Sequence, residues 1–442
     1  MIGDEIHNFC AKLWPINRSI TGDGVRETLG HIQGLIPQLE IKEITSGTNV
    51  FDWTIPREWN VNDAWIKAPC GKKICEFKKN NLHLVGYSLP IHTMMPLSEL
   101  EPHLFSLEKQ PSAIPYVTSY YNDYWGFCLT HEQRQSLTEG DYEVFIDASL
   151  SPGALTYGEV IMEGELSDEV FLSSYICHPS MANNELSGIS VLTYVTDQIS
   201  KMIDRKYTYR IAFVPETIGS IAYLSQNIDA MKANIIAGFN LTCIGDNRDY
   251  SYLPSRHGDT YSDKIVQHVL HSIKPDFKKY SWNDRGSDER QYCAPGIDLP
   301  VASIMRTKYG VYPEYHTSLD NLEKVVTPKG LEGGFNAVMR SIELIEKNCN
   351  PKVKILGEPQ MGKRNLYPLI SNNQRNDAIK AMMNIISYSD GNNDLINIAE
   401  QCQIPVWEVY AVIDSLESHN IISKEPIDPK HCPPLIHSKH YT

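Results

Sequence analysis

Strand-like apolar runs alternate with helical patterns between Tyr142 and Lys347 of this 442-residue chain. The strand-like runs are 159–162, 170–175, 209–214 and 235–241, and the helical patterns are 189–202, 218–226 and 330–347. Such alternation is typical of a mostly parallel sheet with helices on both faces. The sequence therefore predicts a three-layer α/β/α domain built on a mixed, mostly parallel sheet.

The segments on either side of this core differ from it. Residues 22–37 follow the pattern of an amphipathic helix, and residues 39–44 alternate like a strand, so both join the α/β domain. Residues 53–127 are irregular and rich in Trp, Tyr, Pro and Asn, with short β-like runs. We interpret that segment as a small inserted β-rich domain.

A third pattern begins after Gly357. Helical patterns at 376–387, 395–401 and 407–419 precede a short β-like run at 421–424. Three helices followed by a wing-like strand are typical of a winged helix. The predicted domains are the α/β domain at 1–52 and 128–350, the inserted domain at 53–127 and the winged helix at 357–442.

Composition excludes several classes of protein. The hydrophobic share of 42% and the charged share of 21% are those of a folded globular chain. The first residues lack the apolar core of a signal peptide, and no stretch approaches the roughly 20 apolar residues of a membrane span. The ten cysteines form no C-x-x-C pair, so free thiols are expected. With a net charge of −14, these features predict a cytoplasmic protein that binds neither membrane nor nucleic acid.

Reactive side chains follow four of the predicted strands. His178, Glu216 and Thr242 come directly after strands, and His316 lies in the loop after the strand at 301–305. Ligands of open α/β sheets bind beyond the carboxyl ends of the strands. We therefore expect these four residues to cluster at one edge of the sheet.

The strings around these residues resemble motifs of the zinc aminopeptidases that use two metal ions. They are Cys-His-Pro at 177–179 with Ala-Asn-Asn-Glu-Leu-Ser-Gly at 182–188, Pro-Glu-Thr-Ile-Gly at 215–219, Asn-Leu-Thr-Cys-Ile-Gly at 240–245, Gly-Ser-Asp at 286–288 and Tyr-His-Thr-Ser-Leu-Asp at 315–320. The whole layout is similar to a bacterial aminopeptidase-like family that is often linked to surface-polysaccharide gene clusters.

Three departures from the aminopeptidase motifs change what the resemblance implies. The bridging aspartate falls on Asn184, the glutamate of one metal on Thr217 and the aspartate of the other metal on Thr242. Two zinc ions bring four positive charges, which those three carboxylates normally offset. Because all three positions are neutral here, we expect one zinc ion at most.

The resemblance also implies roles for the remaining residues. His178 and His316 would bind the metal with help from the Asn184 carbonyl oxygen, and Glu216 would be the general base. A carboxylate from Glu216, Asp246 or Asp288 could complete the metal site. Further expectations are that Asp320 orients the histidine loop, that Arg306 receives a substrate carboxylate or forms a structural salt bridge, and that Thr217 and Thr242 are scaffold.

Structural interpretations of the same residues remain open at this point. His178 could tie down a loop, residues 183–185 could be a polar turn that starts a helix, and Glu216 could be only a partner of a helix dipole.

The sequence is compatible with two alternative functions. The first is a metal-dependent amide-bond hydrolase that acts on a peptide or on a small amide or aminosugar. The second is a binding or scaffold protein in polysaccharide biosynthesis that kept the fold and lost the metal. DNA binding through the winged helix is disfavoured, because residues 392–420 contain no Lys or Arg. A protein contact or homo-oligomer through this domain is favoured instead.

Overall fold

The computed structural model describes residues 1–364, 366 and 373–431. Its α-helices are α1 Ile2–Leu13, α2 Asp23–Gln33, α3 Leu97–Leu100, α4 His131–Gln135, α5 Ser187–Ser200, α6 Ile218–Asn234, α7 Tyr261–Ile273, α8 Glu289–Tyr292, α9 Pro328–Lys347, α10 Asn373–Tyr388, α11 Leu395–Cys402 and α12 Val406–Ser418. Its strands are β1 Glu40–Thr45, β2 Asn49–Val50, β3 Trp53–Thr54, β4 Glu58–Lys67, β5 Lys73–Ile74, β6 Ile91–Pro96, β7 Leu104–Phe105, β8 Phe127–Cys128, β9 Asp141–Ser151, β10 Ala154–Met162, β11 Leu166–Tyr175, β12 Tyr207–Val214, β13 Ile235–Leu241, β14 Ser251–Leu253, β15 Lys278–Lys279, β16 Val301–Met305, β17 Asn350–Val353 and β18 Ile422–Glu425.

The main sheet has eight strands in the order β1-β10-β12-β11-β13-β16-β14-β15. Its four central strands, β12, β11, β13 and β16, run parallel to one another. Toward one edge, β10 pairs antiparallel with β12 and with β1, and toward the other edge, β14 pairs antiparallel with β16 and parallel with β15. All eight residues of β12 are buried, as expected for a central strand covered on both faces. The predicted mixed, mostly parallel sheet is confirmed.

Helices cover both faces of this sheet. On one face, apolar residues of α1, α2, α5, α7 and α9 form one core with Val170 and Leu172 of β11. On the other face, α6 packs with Phe171 of the same strand. Successive residues of β11 thus point into different cores, as the pleat of a strand requires. This arrangement is the three-layer α/β/α domain. Every helix of the described chain is too short or too polar to cross a membrane.

The inserted segment forms a second, antiparallel sheet of four strands in the order β5-β4-β9-β6. Residues from 128 onward were expected in the α/β domain, but β9 pairs through residues 143–151 with β4 and through residues 141–146 with β6. The reason is the alternation of Tyr142, Val144 and Ile146, which bury one face of β9 in the core beneath the small sheet. The small sheet therefore extends to Ser151.

The C-terminal module packs against the α/β domain. Helices α10, α11 and α12 are followed by β18, which pairs antiparallel with β17. Lys264 on α7 forms a buried ion pair of 2.9 Å with Asp394, which caps α11. The apolar residues Val406, Val409 and Ile413 of α12 are buried in the same core as the main sheet. This face of the module is therefore covered within the chain.

Candidate active site

The ends of the central parallel strands bring the reactive residues together. His178 follows β11, Glu216 follows β12, and His316 lies in the loop after β16. His178 Nε2 lies 3.6 Å from Glu216 Oε2. The ring centroids of His178 and His316 are 5.5 Å apart. The cluster expected at one sheet edge is present in the structure.

The loop that carries His178 is fixed by a buried ion pair. The His178 amide donates to Glu185 Oε1 at 2.8 Å, and its carbonyl oxygen accepts from Arg18 Nε at 3.1 Å. Arg18 and Glu185 form an ion pair of 3.1 Å, and both side chains are fully buried. Glu185 therefore holds the histidine loop in addition to lying in the turn that precedes α5. Arg18 is far from this loop in the sequence, so no local pattern could have indicated its role.

The turn that carries Glu216 is held in an unusual conformation. Thr217 has a φ of 64°, in the left-handed region that costs a residue with a branched side chain about 1–3 kcal/mol. Asp288 Oδ1 accepts hydrogen bonds from the Thr217 amide at 2.7 Å and from Ser220 Oγ at 2.9 Å. Arg290 Nη2 donates to Thr217 Oγ1 at 2.6 Å. Asp288 thus stabilises the turn that presents Glu216.

Burial determines the protonation states in the site. It raises the pKa of Glu216 well above the usual range, an effect that Asp288 reinforces and Arg290 opposes. Burial lowers the pKa of His178 well below its usual value, and the neighbouring His316 adds to this effect. It also lowers the pKa of His316 to about 4. At neutral pH both imidazoles are therefore neutral, and burial favours the protonated form of the Glu216 carboxyl.

Asn184 and Thr242, two of the three neutral residues at the carboxylate positions of the motifs, belong to one hydrogen-bond network. The Tyr175 hydroxyl donates to Asn184 Oδ1 at 2.9 Å and shares a hydrogen bond of 2.6 Å with Thr242 Oγ1. The Asn184 Nδ2 atom is buried without a hydrogen-bond partner among the described residues. Asn184 and Thr242 are therefore tied to a tyrosine hydroxyl, as two neutral side chains can be.

Two other predicted residues, Asp320 and Asp246, have structural contacts. Asp320 accepts from the Asn183 amide at 2.8 Å and the Asn184 amide at 3.0 Å, so it orients that turn. Asp246 accepts from the Thr307 amide at 2.7 Å and from the Asn183 side chain at 3.1 Å. Both carboxylates therefore hold loops of the α/β domain in place by accepting hydrogen bonds.

Arg306 does not face the cluster as a substrate ligand would. It donates to the carbonyl oxygen of Asp249 at 2.6 Å and stacks on the ring of Tyr250 at 3.8 Å. The residue is almost completely buried. Its guanidinium also donates to Asn247 Oδ1 at 3.4 Å. Among the described residues Arg306 thus contacts neutral groups and is not in the cavity lining, so neither the expected substrate carboxylate nor the expected salt bridge is found there.

The inserted domain contributes a wall of the site, which the sequence analysis missed. The Tyr116 ring centroid lies 5.1 Å from that of His178 and 5.2 Å from that of His316. The Tyr116 amide donates to the His316 carbonyl oxygen, and the Ser318 amide donates to the Ile114 carbonyl oxygen, both at 2.9 Å. These backbone bonds attach the insertion to the histidine loop. The available signal was the density of tyrosines between residues 116 and 121.

A cavity of about 490 Å³ opens between the two domains at this point. Its wall combines aromatic side chains with the reactive cluster. The lining residues are Ile20, Trp53, Tyr116, Thr118, Tyr120, Tyr121, Cys177, His178, Glu216, Thr217, Ile218, Arg290, Gln291 and His316. A concave, mainly apolar space with a few convergent polar groups is the usual form of a small-ligand site.

One group of potential metal ligands is present among the described residues. Cys177, His178 and Glu216 each offer a ligand atom, and the three atoms all lie within 4.8 Å of one another. Thiol, imidazole and carboxylate are all groups that bind zinc. His316 is not part of this group, so its ligation of the same ion remains a prediction. A two-zinc site lacks its three carboxylates, because Asn184, Thr217 and Thr242 are neutral.

The order of the strands, the inserted domain beside the site and the pair of histidines define the class of the protein. It is an aminopeptidase-like α/β protein with a C-terminal winged helix. BSAP, a zinc aminopeptidase from Bacillus subtilis, has this fold, with a TM-score of 0.56, 12% identity and coverage of 78% of this chain and 95% of that chain. The chain belongs to the family described as domain of unknown function DUF4910, whose profile matches residues 7–348. A winged helix-turn-helix profile matches residues 348–424.

Two findings from Clostridium acetobutylicum show how far this family likeness extends. One protein, named as a candidate polysaccharide biosynthesis protein with an aminopeptidase-like domain, is 44% identical over 420 residues, which are 94% of this chain and 95% of that protein. A crystal structure of a protein named as a candidate peptidase has a TM-score of 0.89 and 42% identity, covering 96% of both chains. The likeness therefore includes the inserted domain and the winged helix.

Proposed function

We propose that this protein is an amide-bond hydrolase that works with one zinc ion at most. The observation that carries the proposal is the 3.6 Å approach of the Glu216 carboxyl to the His178 imidazole at the cavity wall. An acid–base group beside a neutral imidazole, at the ligand-binding edge of an aminopeptidase-like sheet, is suited to amide hydrolysis. The substrate is a peptide or a small amide or aminosugar that fits the cavity.

Glu216 is the residue that moves protons in this mechanism. Its carboxylate form takes a proton from water while the water oxygen bonds to the amide carbon. The resulting carboxyl then gives that proton to the amide nitrogen as the C–N bond breaks. His178 and His316 are neutral, so their rings can donate or accept hydrogen bonds to substrate without adding charge. A bound zinc ion would supply polarisation of the amide carbonyl, and Cys177 and His178 are the residues of this group that could hold it while Glu216 moves the proton.

The test compares Glu216→Gln with wild type on aminoacyl amides, dipeptides and N-acetylated aminosugars. Glutamine keeps the shape of the side chain but cannot take up the proton, so turnover should fall by about 10²–10⁴. Glu343→Gln on the exposed side of α9 is the matched control and should retain wild-type turnover. Zinc content is measured on the same preparations. Equal turnover of Glu216→Gln and wild type would exclude the mechanism.

A second function is favoured by the three neutral motif positions. Asn184 and Thr242 are engaged by Tyr175, and Thr217 by Arg290. A chain that binds its ligand without hydrolysing it would need no more than this cavity. The same panel separates the two functions, because a binding protein would show ligand-dependent stabilisation with no product. The name of the Clostridium relative supports a place in polysaccharide biosynthesis for either function.

A further inference from the structure

The cavity contains a permanent positive charge that the proposed mechanism does not use. Arg290 lies in the cavity wall, in the same lining as Glu216, His178 and His316. Its Nη2 donates to the hydroxyl of Thr217 at 2.6 Å, which is a neutral partner. Its Nε is buried and has no hydrogen-bond partner among the described residues. The part of the guanidinium that lines the cavity can still form a charge-assisted hydrogen bond with an anionic ligand, because its described partner is a neutral hydroxyl.

The acidic neighbours of Arg290 in the sequence are engaged elsewhere. Asp288 Oδ1 accepts from the Thr217 amide and from Ser220. Glu289 Oε1 accepts from the Gly286 amide at 2.9 Å and from Tyr309 Oη at 2.6 Å. These hydrogen bonds engage Asp288 Oδ1 and Glu289 Oε1, while Asp288 Oδ2 is buried without a hydrogen-bond partner among the described residues. The described hydrogen-bond partner of the guanidinium is Thr217 and neither of these carboxylates.

Aromatic side chains form another part of the lining. Trp53, Tyr116, Tyr120 and Tyr121 all come from the inserted domain, whereas Arg290 comes from α8 of the α/β domain. Flat aromatic rings bind the apolar face of a ligand, and a guanidinium forms a planar pair of donors that matches a carboxylate. A ligand with an apolar or ring-shaped body and one carboxylate is complementary to both parts.

We propose that Arg290 is a specificity-determining residue that binds a carboxylate on the ligand of this cavity. The inference rests on the proposed function for the reaction, and it names the class of substrate: an acidic amide. The carboxylate can come from the C-terminus of a peptide or from an acidic sugar. Because an Arg–carboxylate pair forms in the ground state, the inference is tested by binding and does not need turnover.

The experiment measures affinity by titration calorimetry with the full-length Glu216→Gln chain, so that no probe is consumed. Two matched pairs of probes separate the sources of the carboxylate. They are a dipeptide with its C-terminal amide derivative, and glucuronic acid with glucose. We expect the acidic member of one pair to bind at least about tenfold more tightly than its neutral partner, which is the effect of one charge-assisted hydrogen bond. The pair that discriminates identifies the source.

The same titrations are repeated after Arg290→Gln and Arg290→Lys are added to Glu216→Gln. The glutamine should abolish the preference for the acidic probe, whereas lysine, which keeps the charge without the planar fork, should retain part of it. Arg256→Gln removes an arginine that pairs with Asp298 away from the cavity, and should leave the preference unchanged. Circular dichroism confirms that each variant is folded.

Two results would overturn the inference. One is equal affinity for the acidic and neutral probes of both pairs, including no binding of any probe at millimolar concentration. The other is an acidic preference that survives Arg290→Gln. A preference that requires Arg290, in a wild-type chain that releases no product, would uphold the carboxylate site and remove only the hydrolase proposal.

Discussion

The Tyr116 ring lies edge-on to the His316 imidazole, with 5.2 Å between centroids and 87° between planes. The two residues belong to different domains, and the Tyr116 amide also donates to the His316 carbonyl oxygen. His316 has a φ of 56°, in the left-handed region that residues other than glycine adopt uncommonly. The inserted domain thus contacts the histidine at a left-handed backbone position.

We expect Tyr116→Ala to weaken this arrangement. Loss of the ring removes the aromatic contacts to both imidazoles and should lower the free energy of unfolding by about 1–2 kcal/mol. Tyr116→Phe keeps the ring and loses only the hydroxyl contact to Tyr120, so it is the matched control. Chemical denaturation measures the difference. Equal stability of Tyr116→Ala and Tyr116→Phe would show that the ring contacts contribute nothing.

Breaking the buried pair of Arg18 and Glu185 should be strongly destabilising. Arg18→Met leaves the carboxyl of Glu185 buried without its counter-charge, at a cost of roughly 3–5 kcal/mol. Burial already raises the pKa of Glu185 to about 7, so the variant should lose less stability at acidic pH, where that carboxyl is protonated. The check is urea denaturation across pH. Arg57→Met, which breaks the exposed pair with Asp123, should change stability by less than about 1 kcal/mol.

Restoring a carboxylate at position 184 should increase zinc binding. Asn184→Asp replaces an amide by a negative charge at the place of the bridging aspartate in the related motifs. The added charge offsets part of the charge of the ion, so zinc retained after dialysis should rise toward one per chain, as measured by elemental analysis. Asn227→Asp on α6 controls for a carboxylate elsewhere. No gain of zinc over wild type would show that position 184 does not contact the metal.

Hydrolysis should become faster as the pH rises above the usual titration range of a glutamate. Burial raises the pKa of Glu216, and the carboxylate that acts as the base forms only above that pKa. The rising limb of kcat/KM against pH therefore lies above the usual range of a glutamate. Arg290 lowers this pKa, so Arg290→Gln should move the limb to still higher pH. A profile that rises at the pH of an ordinary glutamate would contradict the role of burial.

His316 should make the folded state sensitive to acid. Its pKa is about 4 when folded, below the value of about 6.5 for an exposed histidine, so the unfolded chain binds the proton more tightly. Stability is therefore present above about pH 6.5 and is lost as the pH falls toward 4. Wild type should lose up to roughly 3 kcal/mol more than His316→Asn over this interval, because asparagine tolerates the backbone conformation and does not titrate. Denaturation at both pH values gives the difference, and equal acid losses would refute it.

The sequence was informative where a residue follows a central strand. His178, Glu216 and Thr242 could be placed at one sheet edge because parallel strands end together, and the structure has them there. The sequence was not informative for contacts between segments that are far apart in the chain. Arg18 and Tyr116 reach the site from a loop and from another domain, and no periodicity encodes such contacts. For the same reason Arg306 was considered as a carboxylate ligand, although Arg290 is the arginine in the cavity wall.

Trp53 in the cavity lining provides a fluorescence signal for ligand binding. Trp53 is 39% exposed and lies edge-on to Tyr121, with the two ring centroids 6.0 Å apart. A ligand that enters beside these rings would displace water from the indole, and tryptophan emission depends on such water. The intrinsic fluorescence of the chain should therefore respond to occupancy. The chain has seven tryptophans. The difference spectrum between wild type and Trp53→Phe separates the emission of Trp53 from that of the other six.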